Sequence, residues 1–282
     1  MKTGLVMEGG SMRGMYTAGV TDVLMENNIE FDGAVGVSAG AAFGCNYKSH
    51  QIGRAIRYNT RFCKDERYVG IKSLIKTGDL YNNNFCYKIV PETLDIFDSK
   101  AFKASPMEFY VTCTDALTGK PVYHKCENGD AEDLQWIRAS AAMPVVSNVV
   151  EIDGMFLSDG GTSDSIPVEF FRSIGYSKNV VILTQPEGYV KKKNSLLPAV
   201  RHAVKKYPEI VNALEVRHEM YNRELEYIKK YEKSGELFVL KPSKPIKVRI
   251  IERRPGKLLE IYKLGRCDAE AHISEIKSFV GR

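Results

Sequence analysis

The sequence predicts an α/β fold: a mostly parallel central sheet layered between helices, with a helical C-terminal extension. Three observations carry this. The first forty residues alternate strand, helix, strand, helix, and β-α-β runs of this kind place neighbouring strands parallel. Two glycine-bearing turns, "EGGSMRG" at 8–14 and "GVSAG" at 36–40, each leave a strand and enter a helix. Short apolar runs recur at 108–115 and 179–186, as the buried strands of one sheet do.

Taken in order, "TGLVME" (3–8) is an apolar strand ended by Gly9 and Gly10. "MRGMYTAGVTDVLMENN" (12–28) spaces Met15, Ala18, Val20, Leu24 and Met25 as a helix does, and Asn27 and Asn28 close it. "FDGAVGV" (31–37) is the second strand, and "SAGAAFGCNYKSH" opens a helix of small residues. Residues 50–105 hold helical fragments with scattered aromatics, Phe62, Tyr68, Tyr81, Phe85 and Tyr87, a pattern that suits an apolar cleft or ordinary core equally. "EFYVTCTD" (108–115) and "KPVYHK" (120–125) read as a hairpin around "ALTG", and "LQWIRASAAMP" (134–144) as a helix stopped by Pro144. Within "VVEIDGMFLSDGG" (149–161), Asp153-Gly154 between two apolar runs signals a tight hairpin. "NVVILTQP" (179–186) is a further buried strand.

A long helix is expected over 196–233, broken near Pro208, with Ile210, Leu214, Tyr221, Leu225 and Ile228 on one stripe. "ELFVLKP", an extended basic stretch and a last helix (256–280) follow. Linker signals are weak, so a core (1–185) and a basic, mainly helical extension (186–282) are expected to pack as one structural domain.

At 282 residues, 44% hydrophobic and 27% charged, the chain is long enough to bury a sizeable core. Its six cysteines (45, 63, 86, 113, 126, 267) form no C-x-x-C pair, which points to reduced thiols rather than a zinc site or disulfide framework. "MKTGLVMEGG" is too short in apolar residues for a signal-peptide core or a membrane span, so a cytoplasmic location is expected, peripheral to the membrane at most. The net charge of +5 divides unevenly, −4 up to residue 185 and +9 after it. "KKK" at 191–193 and the basic run at 241–257 suit contact with an anionic membrane, or a solvated face with no partner; no nucleic-acid partner is expected.

Ser38 has the layout of a nucleophile elbow: small residues, Gly36 and Gly40, flank a serine on a tight strand-to-helix turn. Free N–H groups and the helix dipole favour negative charge there, and the 8–14 turn one β-α unit earlier brings a second row of donors beside it. Two such turns offer a nucleophile and donors for an oxyanion, each donor worth about 3 to 4 kcal/mol in precedent. A serine needs a base. The most suggestive one is Asp159, held by Gly160 and Gly161 and ionised at neutral pH at the ordinary aspartate value.

These residues together resemble the patatin-like phospholipase family. That family carries a D-G-G-G-x-R/K-G loop, a G-x-S-x-G serine and a later D-G-G/A aspartate, in this order and at about these separations. Here Glu8, Gly9, Gly10, Ser11, Met12, Arg13 and Gly14 stand in the first place, Ser38 in the second and Asp159 in the third. The run "ASAAMPVVSNVVEIDGMFLSDGG" is similar to the block leading into the family's aspartate, so the likeness spans roughly residues 4 to 185.

The resemblance implies a three-layer α/β/α sandwich and a lipid acyl hydrolase of the phospholipase A or lysophospholipase kind. It implies a Ser38-Asp159 dyad without histidine, an acyl-enzyme on Ser38, and an oxyanion hole from the N–H groups of Gly9, Gly10 and Ser11 with that of Ala39. Arg13 would organise the loop. No metal or cofactor is implied, because backbone donors polarise the ester carbonyl. There are two departures: Glu8 replaces the usual aspartate, and Ser11 the third glycine.

Three rivals differ in what they require. A Ser-His-Asp hydrolase of another fold would draw on His202, His218 or His272, but it places its serine after several strands, and here two precede Ser38. A nucleotide-binding loop wants glycine at position 11 or Gly-Lys-Ser/Thr, and neither is present. An inactive lipid-binding or scaffold protein has no need of both Ser38 and Asp159. His50 and His124 have no motif around them, and Trp136 reads as a packing residue.

Overall fold

Apolar five-residue runs with no charge, such as Thr3–Met7, form strands buried along their whole length, as strands covered on both faces must be. The computed structural model describes residues 1–195 and 197–281, so the expected helix start at 196 and the last residue lie outside the described residues. The strands are β1 (Thr3–Met7), β2 (Gly33–Val37), β3 (Glu108–Asp115), β4 (Pro121–Cys126), β5 (Val150–Ile152), β6 (Met155–Asp159), β7 (Lys178–Ile182) and β8 (Leu237–Leu240). Before β3 come helices α1 (Met15–Glu26), α2 (Ala39–Lys48), α3 (Arg54–Phe62), α4 (Ile71–Thr77) and α5 (Ser99–Ala104). After β4 come α6 (Ala131–Ser140), α7 (Val168–Ser173), α8 (Leu197–Ala203), α9 (Pro208–Lys233), α10 (Pro255–Ala271) and α11 (Ile273–Val280).

All eight strands join one sheet in the order β5-β6-β3-β2-β1-β7-β8, with β4 on β3. Pairing is parallel through its centre, from β3 across β2, β1 and β7 to β8, and antiparallel around β4, β5 and β6. Side-chain alternation divides the core into two layers. Leu5, Met7 and Ala34 face α1, α2, α3, α6 and α10. Val6, Val35 and Val181 face Phe171 of α7 and Tyr221 and Ile228 of α9. The chain is therefore the expected α/β/α sandwich.

The C-terminal residues complete both the sheet and one helical layer. β8 adds to the edge of β7, and α10 crosses α1 so closely that a Cβ at Gly19 would lie 2.1 Å from the Tyr262 carbonyl, and one at Gly265 2.1 Å from that of Tyr16. Only glycine permits this crossing.

Several boundaries differ from the sequence expectation. Ser11–Gly14 is a 3₁₀ turn and the α-helix begins at Met15. The helix expected to run to Pro144 stops at Ser140, and Val145 takes a φ of 76° in the chain that follows. The long helix is divided before Pro208, whose ring lacks the N–H that a helix interior needs and is tolerated at a first turn. The last helix breaks at His272. Phe85–Leu94 winds as a π-helix with Pro91 inside it. All six cysteines are free thiols. Among the described residues, no helix is long and apolar enough to cross a membrane.

Candidate active site

Pairing of β1 with β2 sets the two glycine turns side by side. Their contact is close: a Cβ at Gly40 would lie 2.3 Å from the Met7 carbonyl oxygen and 2.7 Å from that of Glu8, and one at Gly9 3.1 Å from the Ser38 Cβ. Ser38, between β2 and α2, has φ 53° and ψ −118°. Such a conformation costs a non-glycine residue about 1 to 3 kcal/mol and persists only where the surroundings enforce it. One enforcer is Ser140 at the end of α6, which accepts the Ser38 N–H at 2.9 Å and donates to the Thr112 carbonyl at 2.6 Å.

Asp159 arrives from the opposite direction. β4 occupies one edge of β3 through Thr114, so β2 and β6 share the other edge, Val37 opposite Thr112 and Asp159 opposite Cys113. The two strands run head to head, and their last residues meet. The Ser38 hydroxyl donates to Asp159 Oδ2 at 2.6 Å, and the Gly161 N–H donates to Oδ1 at 2.8 Å. The Asp159 backbone is fixed as well: its N–H reaches the Ala142 carbonyl at 2.9 Å and its carbonyl accepts from Thr114 Oγ1 at 2.8 Å. Burial pushes the Asp159 carboxyl above the usual carboxylate range, while the Ser38 hydroxyl, the Arg217 guanidinium and the Gly161 N–H pull it back.

In the glycine loop, Thr184 Oγ1 holds the Gly9 carbonyl at 3.1 Å and faces Arg13 Nε at 3.4 Å. Among the described residues, the N–H groups of Gly9 and Gly10 and that of Ala39, the first residue of α2, donate to no protein acceptor. The Ser38 N–H is spent on Ser140. Ser11 takes a φ of 50°, a left-handed conformation that glycine would adopt without strain, and its hydroxyl lies 3.5 Å from the Ile250 carbonyl. Gly14 packs against Ala39 and Phe43, Gly36 against the backbone of Gly40 and Ala41, and Gly160 against the Thr112 carbonyl.

Glu8 is not at the reacting centre. Its buried carboxylate accepts the Thr184 N–H at 2.6 Å and the Tyr221 hydroxyl at 2.8 Å, tying β1 to the end of β7 and to α9. Burial raises its pKa, against the lowering effect of Arg13 first and then of these hydrogen bonds.

Two hollows meet at Ser38. One, about 110 Å³, is lined by Phe43, Tyr58, Tyr87, Val90, Phe97 and Ile137 and is apolar. Part of the aromatic segment thus lines a cavity, while Phe62 and Phe85 pack edge to face in the core. The other, about 470 Å³, brings charged groups, Asp159, Arg13, Lys191 and Arg217, together with the Gly9-Gly10 turn and apolar residues such as Met143 and Leu214. Both include Ser11, Ser38 and Met143.

Sequence reasoning missed Ser140, Thr184 and Arg217, and took Lys191 only as one member of a basic run facing a membrane or solvent. Ser140 lies inside the quoted "ASAAMP" block, and Tyr221 on the expected apolar stripe of the long helix. Arg217 is one cation among several on α9 and carries no local signal, and nothing in the 191–193 run tells Lys191 from its neighbours. Arg217 Nε donates to the Gly161 carbonyl, beside the aspartate loop. Among the described residues, no histidine hydrogen-bonds to Ser38 or Asp159; His272 pairs with Glu275 and His218 lies 3.8 Å from Glu219. His124, Cys126 and Asp133 place potential metal-ligand atoms within 4.8 Å of one another. His124 stacks on buried Trp136, however, and Asp133 accepts the N–H groups of Asn128 and Gly129, which accounts for the cluster without an ion.

This architecture defines a class: α/β/α sandwiches that set an elbow serine and a carboxylate at the carboxyl ends of adjoining strands. The model of the patatin-like phospholipases matches residues 5–172, and the chain belongs to that family. A second model, a domain of unknown function (DUF6363), matches residues 207–281. The chain is similar to the uncharacterized protein YjjU of Escherichia coli, 28% identical over 93% of this chain and 74% of that one. It is 27% identical to an uncharacterized NTE family protein of Mycobacterium bovis, over 59% of this chain and 44% of that one. It is 26% identical to a lysophospholipase nte1 of Aspergillus fumigatus, over 61% of this chain but only 11% of that one. Among solved structures, VipD from Legionella pneumophila covers 97% of this chain and 67% of its own at 12% identity and a TM-score of 0.47.

Proposed function

We propose that the protein is a serine-dependent lipid acyl hydrolase of the phospholipase A or lysophospholipase kind, using Ser38 as nucleophile and Asp159 as general base. The observation that carries this reading is the 2.6 Å hydrogen bond from the Ser38 hydroxyl to the buried Asp159 carboxylate, at a strained elbow beside unpaired backbone donors. Family membership supports the lipid-ester class.

The reaction follows from these positions. Ser38 Oγ attacks the ester carbonyl as its proton passes to Asp159, and the carbonyl oxygen, now an oxyanion, is held by the N–H groups of Gly9, Gly10 and Ala39, with Ser11 nearby. Burial makes Asp159 a stronger base than an exposed aspartate. The protonated Asp159 then gives its proton to the departing alkoxide, leaving an acyl group on Ser38. Water, deprotonated by Asp159, attacks the acyl-enzyme; the acid leaves and the proton returns to Ser38. Arg13 organises the loop through Thr184, and the apolar hollow takes the acyl chain.

Residues 1–185 and 186–282 act as one structural unit in this reading, with β8 and α9 completing what the core begins. The basic extension would meet an anionic membrane from the cytoplasmic side. Vesicle sedimentation tests this: binding that requires anionic lipid and weakens with salt supports it, and salt-insensitive or absent binding counts against it.

Fluorophosphonate labelling tests the chemistry. Labelling of wild type that is lost in Ser38→Ala and Asp159→Asn, and kept in His202→Ala, His218→Ala and His272→Ala, is the expected pattern. Labelling that needs a histidine points to a triad, and an unlabelled wild type to an inactive scaffold.

A further inference from the structure

We propose that the segment after residue 185 gives this site a phosphate-recognition wall, in which Lys191 and Arg217, with Arg13, bind a phosphate group carried by the substrate. The inference rests on the hydrolase reading for its meaning, but its test turns on Lys191, which that reading does not use.

All three cations line the same cleft as Ser38 and Asp159. Among the described residues none of them forms an ion pair. The Arg13 Nε faces a hydroxyl, the Arg217 Nε donates to a backbone carbonyl, and the Lys191 ammonium lies 4.5 Å from the centre of the Tyr221 ring. The nearest carboxylates are already engaged, Glu8 by Thr184 and Tyr221, Asp159 by Ser38 and Gly161. Three cations line the cleft against two carboxylates, Glu8 and Asp159, both already hydrogen-bonded within the protein, and the excess of positive charge is left for a ligand to neutralise.

Lys191 is held there deliberately. Asn222 of α9 accepts its N–H at 2.9 Å and donates to its carbonyl at 3.0 Å, a two-point clamp on one residue of a loop. The neighbouring Lys192 and Lys193 are exposed, so the basic run that reads as a uniform surface patch turns its first member inward. Burial, with help from the Arg217 and Arg13 charges, brings the Lys191 ammonium down to about 8, against the pull of Glu8 and Glu224. An anion beside it would reverse that depression.

Position gives the substrate class. The apolar hollow and this cleft meet at Ser38, so an ester cleaved there has its acyl chain in the first and its alcohol part in the second. At about 470 Å³ the cleft lies within the size range of small-molecule pockets. A phosphate on the alcohol side, as in a lysophospholipid, answers the three cations; a neutral acylglycerol leaves them unpaired. The same chemistry would also accept free phosphate, and the experiment must separate the two.

The test compares kcat/KM for a lysophosphatidylglycerol and for a monoacylglycerol of the same chain, and follows binding of glycerol 3-phosphate and of inorganic phosphate to Ser38→Ala protein by calorimetry. Wild type should prefer the phosphorylated ester at least tenfold. Lys191→Met should lower that preference about tenfold or more, and Lys191→Arg should restore most of it. Glycerol 3-phosphate should bind Ser38→Ala protein and lose at least tenfold in affinity when Lys191→Met is added. A preference unmoved by Lys191→Met in a normally folded protein overturns the proposal, as does tighter binding of inorganic phosphate than of glycerol 3-phosphate. If wild type cleaves neither ester, the hydrolase reading fails by itself. Binding then decides the phosphate wall: Lys191-dependent capture of glycerol 3-phosphate upholds it, and no capture refutes it.

Discussion

Ser38 and Asp159, 121 residues apart, share a 2.6 Å hydrogen bond because the strands that carry them meet end to end on one edge of β3. The bond depends on backbone pairing more than on the two side chains. Each partner is fixed from behind, Ser38 by Ser140 and Asp159 by Ala142 and Thr114.

Removing either member should abolish turnover alike. Ser38→Ala and Asp159→Asn are each expected to lower kcat by about 10⁴-fold, and the double variant by little more, since groups acting as a unit are not additive. Kinetics on a chromogenic ester reads this. Independent, multiplicative losses would argue against a dyad.

The rate should follow the ionisation of Asp159. A general base works deprotonated, so kcat/KM should rise with pH along a limb lying above the ordinary aspartate range, since burial raises this carboxyl. Arg217 lowers it, so Arg217→Gln should move the limb to higher pH as well as loosen the Gly161 loop. A pH–rate profile that keeps its position in the variant would show that Arg217 does not tune Asp159.

Ser140→Ala should destabilise the protein without touching the reacting atoms. It strands the Ser38 N–H and the Thr112 carbonyl, both buried, at about 1 to 3 kcal/mol. Urea denaturation should show the lower midpoint, and kcat should fall with it as the elbow relaxes. An unchanged midpoint would mean that the elbow is held by the glycine packing alone.

The tightness of that packing can be measured by one methyl group. Gly40→Ala drives a Cβ into the Met7 and Glu8 carbonyls and should cost about 1 to 3 kcal/mol or more. Gly256→Ala, in the first turn of α10 with nothing within 4 Å, should be neutral or stabilising by up to about 1 kcal/mol. Melting temperatures of the two variants should therefore move in opposite directions or differ widely.

Much of the fold is legible along the chain. Period-2 and period-3.6 apolar patterns, Pro208, Asp153-Gly154 and the glycine turns are local signals, and they mark the strands, helices and layers. The errors fall where local propensity is overruled: at the 3₁₀ turn before α1, at the end of α6, and at His272. Aromatics at 58–97 show the limit of pattern. Hydrophobicity alone does not tell Tyr87, which lines the hollow, from Phe62, which packs in the core.

The sequence by itself determined the order of three motifs, the adjacency of the first two through a β-α-β unit, and an uneven charge with no stated purpose. Only the tertiary structure decided which distant groups complete them. Ser140 comes from 102 residues away to take the Ser38 N–H, Tyr221 from 213 away to hold Glu8, and Arg217 from 56 away to reach Gly161. The physical reason is that hydrogen bonds and Coulomb forces act over a few ångströms of space. No periodicity along the chain records which of twenty-two late cations will be carried into the cleft.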